Sequence, residues 1–297
     1  CIRDRIWLLK EEKATVSDAP DFRTGFGDDL NFLYVAEYVD GILPAFELFS
    51  LEDDRERTLA EAERLFGIIV FHELAHANDF FPPARMGTLR RADSTLEAFT
   101  ANAEFAASAQ LEASLPLDSE LMQALADITF EGVEPTAAQT QITASQAGTA
   151  FAGDSAVDFY GHYTGYEDTA TLVDQVMSRY HFGIDYLAAF VTRPDENGLV
   201  ECNDFKVGFG QLGRIGDPLV AARATLVLQT VLGREDVSGY FANLPPPRDL
   251  PVGQGYCSAA LSVLVSAGSS SSRRLPYGAP VVERAVNQLP RVLRIYR

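Results

Sequence analysis

Two histidines one helical turn apart, with a glutamate beside the first, are the residues of this chain best suited to chemistry. They are His72, Glu73 and His76, in the run His-Glu-Leu-Ala-His. Positions i and i+4 of a helix lie on one face, so both imidazoles can approach one metal ion to about 2.0–2.1 Å. Glu73 stands beside that ion, where a carboxylate can accept and return a proton. The spacing predicts a zinc site of the hydrolytic type.

The alternative interpretation of the same residues is a pair of structural histidines in the core. The whole chain has only 4 histidines, so two of them at this spacing around a glutamate are improbable by chance. Two imidazoles and a carboxylate that are buried together without a metal would also be costly to desolvate. The sequence therefore favours the metal site.

Catalytic zinc sites usually have three protein ligands, and this motif supplies two. Metzincins place the third ligand six residues after the second histidine, behind a glycine, but those positions are Pro82 and Asp79 here, which excludes that class. Asp79 shares the helix face of the histidines and can accept a hydrogen bond from a ligand imidazole. The candidates for the third ligand lie further along the chain and are Glu97, His162, Glu167 and His181.

Residues 72–79 resemble the HExxHxxD form of the gluzincin metallopeptidases, found in anthrax lethal factor-like proteases and in many bacterial zinc peptidases. In these enzymes a later helix, opened by a tyrosine-containing turn and Glu-Asp or Glu-Phe, supplies the third ligand, and a nearby tyrosine faces the substrate oxyanion. The resemblance implies Glu167 as the ligand, Asp168 in the shell around it, and Tyr160 or Tyr163 as the oxyanion residue. It covers about a quarter of the chain.

Other roles remain open for the candidate carboxylates. Thr164 with Glu167 also has the pattern of a capping box, which would direct the carboxylate to backbone amides. Thermolysin-like enzymes place their ligand glutamate about twenty residues after the second histidine, which corresponds to Glu97, the alternative ligand. They also carry an aspartate four residues after that glutamate, where Thr171 follows Glu167 in this chain.

A long predicted helix positions the motif. Ser50 and Asp53 form a capping-box pattern, helix formers continue to Phe81, and two prolines follow. The unbroken apolar run 65–71 predicts that protein surrounds the second half of this helix on all sides. Apolar spacing predicts further helices at about 94–115, 118–130, 136–150, 166–181, 216–232 and 279–289.

The predicted fold class is mainly α, or α+β with a minor N-terminal β region, with a zincin-like pair of active-site helices in a helical domain. The apolar run 32–35 is the candidate strand. Residues 1–50 are expected to form an N-terminal cover segment, and residues 51–297 one mostly helical unit. The glycine-rich segment 203–223 lacks the lysine of a phosphate loop and is predicted to form turns.

Composition and charge limit the partners of this protein. The chain has 47% hydrophobic and 22% charged residues, as in folded globular proteins. Its net charge of −18 disfavours nucleic acid and anionic lipid. Cys202 and Cys257 can pair in an exported protein or remain reduced in a cytosolic one. Cys1 is either the lipid-modified residue of a processed lipoprotein or an arbitrary start.

The sequence therefore predicts a zinc-dependent peptidase-like hydrolase that cleaves peptide or protein substrates, with Glu73 as the general base. We expect it to be exported, whether periplasmic, lipid-anchored at Cys1 or extracellular. The alternative is a non-catalytic, zinc-stabilised envelope or binding protein. A purely structural zinc site would have no need of Glu73, which favours the hydrolase.

Overall fold

The computed structural model describes residues 30–40, 43–44, 59–194, 202–233 and 237–268. Its helices are α1 (Leu59–Phe80), α2 (Thr95–Asn102), α3 (Ala107–Ser114), α4 (Glu120–Ala126), α5 (Ala144–Gly153), α6 (Gly165–Phe182), α7 (Pro218–Leu232), α8 (Ser238–Phe241) and α9 (Tyr256–Gly268). Its strands are β1 (Phe32–Asp40), β2 (Leu43–Pro44), β3 (Asp185–Thr192), β4 (Val207–Leu212) and β5 (Arg248–Asp249). Cys1, the capping box at Ser50 and the helix expected over 279–289 lie outside the described residues.

The predicted class, mainly α with a minor β region, is confirmed. Strand β1 contains the apolar run that indicated a strand, whereas the sequence patterns did not predict β3, β4 and α9. The prediction of turns over 203–223 is wrong, because β4 occupies part of that segment. Its glycines allow close packing: a Cβ atom would come within 2.5 Å of Ala144 at Gly208 and within 2.9 Å of Leu250 at Gly210.

The strands form one antiparallel sheet in the order β2-β1-β3-β4-β5. Strand β1 pairs with β3 from Phe32, opposite Thr192, to Val39, opposite Asp185. The segment that we expected to cover the domain therefore contributes a strand to this sheet. The division of the chain into 1–50 and 51–297 stays a prediction.

The two faces of the sheet pack against different layers, because successive side chains of a strand point to opposite sides. One face carries aromatic residues of β1, β3 and β4 that pack against α4 and α5. The other face carries mainly aliphatic residues that pack against α9, with Glu37 also buried on β1. On this aliphatic side, a disulfide between Cys202 and Cys257 joins a short turn to α9.

Helices α1 and α6 form the predicted pair and run antiparallel. His72 meets Asp174 near the middle of α6, and Gly67, which precedes His72 on α1, meets Phe182 at the end of α6. A Cβ atom at Gly67 would clash with the Phe182 ring, so glycine lets the two helices approach closely. A third core cluster, formed by apolar residues of α1, α3, α6 and α7, supports this pair.

The expectation that protein surrounds the second half of α1 on all sides is wrong for the described part of the chain. Phe66, Val70 and Leu74 are 42%, 45% and 54% exposed, whereas Ile68 and Ala75 are buried. Against the described residues, the helix packs through one side only. The unbroken apolar run 65–71 gave no indication of which side that would be. Among the described residues, no helix is both long and apolar enough to cross a membrane.

Candidate metal centre

Three side chains converge between α1 and α6. Nε2 of His72 lies 3.2 Å from Nε2 of His76, and Oε2 of Glu167 lies 3.1 Å from the first nitrogen and 3.4 Å from the second. The three residues are partly buried and could hold one metal ion between them. Of the four candidates for the third ligand, the structure brings Glu167 to the two histidines.

The spacing of these three atoms fits a tetrahedral ion. Ligand atoms about 2.0–2.1 Å from a tetrahedral zinc lie about 3.3 Å from one another, close to the observed separations. Two imidazole nitrogens that face each other at 3.2 Å also need a proton or a cation between their lone pairs. Two histidines and one carboxylate are the donor set typical of hydrolytic zinc sites.

Asp174 on α6 fixes the orientation of His72. Its Oδ2 atom accepts a hydrogen bond from Nδ1 of His72 at 2.8 Å, and its Oδ1 atom accepts one from the Tyr38 hydroxyl at 2.5 Å. A proton on Nδ1 leaves the lone pair of His72 on Nε2, directed at the centre. Carboxylates that hold ligand imidazoles in this way raise the affinity of a site for its metal.

The side chains of this centre shift one another's pKa values even without a metal ion. Burial lowers the pKa of His72, but its hydrogen bonds with Asp174 and Glu167 outweigh burial and raise the pKa to about 10. Burial raises the pKa of Glu167, but its hydrogen bonds with His72 and His76 outweigh burial and lower the pKa to about 2. The carboxylates therefore favour positive charge at this position, which a divalent cation can supply.

Glu73 lies next to the ligands but is not one of them. Its side chain is partly buried, and among the described residues its carboxylate makes no hydrogen bond or ion pair. A carboxylate without such a partner is free to exchange a proton with a bound molecule. This arrangement matches what a general base requires.

The two tyrosines expected at the centre occupy a turn before α6. Tyr160 and Tyr163 stack on each other with ring centroids 5.8 Å apart, and both pack against Phe130. Burial raises the pKa of Tyr163, as do the neighbouring Glu131 carboxylate and, to a smaller extent, the charge of Glu167. Tyr163 is therefore within electrostatic range of the centre.

The two aspartates expected around the ligands have other main contacts. Oδ1 of Asp79 accepts a hydrogen bond from the Ser108 backbone at 2.8 Å. Oδ2 of Asp79 and Nδ1 of His76 are buried and have no hydrogen-bond partner among the described residues. Asp168 forms a buried, two-pronged ion pair with Arg223. Asp168 therefore stabilises the packing of α6 on α7 instead of orienting a ligand.

The remaining sequence candidates lie outside the centre. Glu97 is exposed and caps α2 by accepting hydrogen bonds from the backbone and hydroxyl of Ser94. His162 is buried beside Asp154, 3.1 Å from its Oδ2 atom. The His181 ring stacks on Phe71. The backbone N–H of Glu167 donates a hydrogen bond to the Thr164 hydroxyl, as at a helix N-cap, while the Glu167 carboxylate points to the histidines.

Sequence reasoning missed Asp174 and Tyr38, which complete the centre. Asp174 follows Glu167 by seven residues, two helical turns along one face, so the spacing of the two carboxylates was a usable signal. The spacing of thermolysin-like enzymes pointed instead to Thr171, four residues after Glu167. Tyr38 carried no local signal, because it reaches the centre from a strand 136 positions away from Asp174.

Comparisons of the chain with protein-family models, with curated proteins and with solved structures found no match. Function must therefore be inferred from the geometry of this centre and from the motif that forms it.

Proposed function

We propose that this protein is a zinc-dependent, peptidase-like hydrolase. The observation that carries the proposal is the set of three ligand atoms, 3.1–3.4 Å apart, beside a glutamate that makes no other polar contact among the described residues. His72, His76 and Glu167 would hold the ion, and Asp174 would orient His72. A zinc ion bound there lowers the pKa of a water molecule and polarises a carbonyl group.

Glu73 performs the proton transfers in this proposal. Its carboxylate accepts a proton from the attacking water and later donates it to the nitrogen of the leaving amine. No strong polar contact has to be broken first, since Glu73 has none among the described residues. The peptide carbon thereby gains a hydroxyl group as the carbon–nitrogen bond breaks.

We assign Tyr163 the stabilisation of the negative charge that develops on the carbonyl oxygen. The charge of Glu167 raises the pKa of Tyr163, after the larger effects of burial and Glu131, which supports a position near the centre. Its hydroxyl would donate a hydrogen bond to that oxygen, and such a donor stabilises the transition state because the charge develops there.

The proposed location is outside the cytoplasm. The disulfide between Cys202 and Cys257 supports export, because such bonds persist in oxidising compartments.

The proposal is tested by metal content and by peptide cleavage. Purified protein should bind about one zinc ion per chain, and His72→Ala should lose most of it, because two ligands hold zinc far more weakly than three. Glu73→Gln should keep the zinc and lose at least about a hundredfold in cleavage of a quenched fluorescent peptide library. Glu63→Gln, an exposed glutamate of the same helix, is the matched control and should change neither.

Two outcomes would contradict the proposal. Equal zinc content in the wild-type protein and His72→Ala would remove the metal centre itself. Zinc binding that depends on His72, together with no cleavage that depends on Glu73, would instead support the non-catalytic, zinc-stabilised protein.

A further inference from the structure

The exposed apolar side chains of α1 form a strip that packing within the described part of the chain does not explain. The strip consists of Phe66, Val70 and Leu74, spaced four residues apart along the helix. Each is between 42% and 54% exposed, although large apolar side chains gain free energy on burial. Contiguous exposed apolar residues of this kind mark binding surfaces more often than chance.

The strip adjoins the proposed catalytic glutamate. Because each residue turns a helix by about 100°, Phe66 lies about 20° and Val70 about 60° from Glu73 around the axis of α1. The ligands His72 and His76 lie on the opposite side of Glu73. Glu73 therefore separates the metal ligands from the strip, and any molecule that contacts both must cross it.

Apolar surface continues past Glu73 in the other direction along α1. Phe80 lies seven residues after Glu73, on nearly the same line, and its ring stacks on His76 with centroids 5.9 Å apart. Phe99 and Tyr166 pack edge-on against Phe80, and Tyr166 is 40% exposed. Apolar groups thus flank Glu73 on both sides along the helix axis.

The length of this surface fits a short extended peptide. At about 1.5 Å per residue, Phe66 and Phe80 are about 21 Å apart along α1. An extended chain covers about 3.3 Å per residue, so about six residues span that distance. Glu73 lies at the middle of the span, where the scissile bond would be.

We propose that the strip and the aromatic group at Phe80 are the docking surface for an extended, apolar segment of the peptide substrate. This inference rests on the proposed function, since it takes Glu73 as the catalytic base. It names the substrate class of the same centre: peptides with apolar side chains on both sides of the cleaved bond.

Two other occupants fit the strip less well. A stable contact with a second copy of this chain buries about 800 Å² on each partner, more than three half-exposed side chains provide. A membrane surface is disfavoured by the net charge of −18, which repels anionic lipid. A short polypeptide needs neither a large area nor opposite charge.

Binding can be measured without turnover in zinc-loaded Glu73→Gln protein. The probes are two fluorescein-labelled hexapeptides, one with Phe and Leu on both sides of the central bond and one with Ser and Gln there. The apolar probe should bind at least about tenfold more tightly by fluorescence anisotropy, and adding Val70→Ser with Leu74→Ser should remove that preference. Leu219→Ser with Val252→Ser, the same substitutions at two more exposed positions outside the centre, is the control and should keep the preference.

The outcomes separate this inference from the proposed function. Equal affinity for both probes, or an unchanged preference after the Val70 and Leu74 substitutions, would overturn the docking surface. The docking surface is also contradicted if those substitutions abolish a dimer in sedimentation velocity, or binding to phosphatidylcholine vesicles, without affecting the probes. Selective binding by Glu73→Gln protein, combined with no cleavage by the wild type, would retain the docking surface and overturn only the hydrolase.

Discussion

On one face of the sheet, tyrosine hydroxyls meet buried carboxylates. Tyr34 and Tyr186 donate hydrogen bonds to Asp158, and Tyr38 donates one to Asp174. On the other face, mainly aliphatic side chains of β1, β3 and β4 pack against α9 beside the disulfide. The tyrosine face therefore holds buried carboxylates in fixed orientations through hydrogen bonds. The aliphatic face stabilises the fold mainly by removing apolar surface from water.

This difference between the two faces indicates where the exact orientation of side chains matters in the fold. A hydrogen bond to a buried carboxylate holds it in one orientation, and leaving one unmade costs about 1–3 kcal/mol. Aliphatic packing stabilises the fold but tolerates changes of similar volume. We therefore expect substitutions on the aliphatic side to lower stability alone, and substitutions on the tyrosine side to affect metal binding as well.

The largest predicted effect tests the buried charge that holds α6 against α7. Arg223→Met should lower the free energy of unfolding by about 3–5 kcal/mol, because it leaves the buried carboxylate of Asp168 without its partner. Urea denaturation followed by circular dichroism measures this change.

The control removes both charges. Arg223→Met combined with Asp168→Leu should recover much of the lost stability, since a well-packed apolar pair can replace a buried ion pair. If the double variant is less stable than Arg223→Met, the desolvated carboxylate is not the cause of the loss.

The second prediction concerns the aliphatic side. Cys202→Ser with Cys257→Ser should lower the free energy of unfolding by about 2–4 kcal/mol, because the disulfide restricts the unfolded chain. Its residues are 55 positions apart, which makes the closed loop long. Zinc affinity of the folded variant should match that of the wild type in a chelator competition. A parallel loss of affinity would show that the two faces are coupled.

The third and smallest effect concerns the tyrosine side and appears in metal affinity. Asp174→Asn should weaken zinc binding about 10–100-fold, because a neutral amide holds the Nδ1 proton of His72 less strongly. Glu97→Gln is the control, since Glu97 only caps α2, and its zinc affinity should equal that of the wild type. Equal affinities for all three proteins would contradict the role of Asp174.

Local sequence spacing was sufficient for part of this centre. Positions i and i+4 placed His72 and His76 together, and the motif around residue 167 supplied Glu167. Burial was harder to infer, because the run 65–71 is apolar all round while α1 packs on one side only. Strand β3 was missed since its residues are buried on both faces and show no alternation.

The contacts that support the ligands from distant positions escaped sequence reasoning. The sequence suggested that Asp168 supports a metal ligand, because it follows Glu167 directly. Its partner in the structure is Arg223, 55 positions away. The hydrogen bond from Tyr38 to Asp174 depends on β1 pairing with β3, which no pattern within either segment specifies. Spacing can identify ligands on one helix, whereas their supporting contacts depend on tertiary structure.

The hydrogen bond between Tyr38 and Asp174 also has a consequence for how the protein matures. The groups around the proposed zinc site come from one strand and two helices, so an unfolded or nascent chain offers at most the two histidines of α1 at ligand spacing. Zinc should therefore be captured only after long-range assembly, and it should slow unfolding more than it speeds folding. A chain that folds before it meets the metal can be loaded in the compartment where it finally resides.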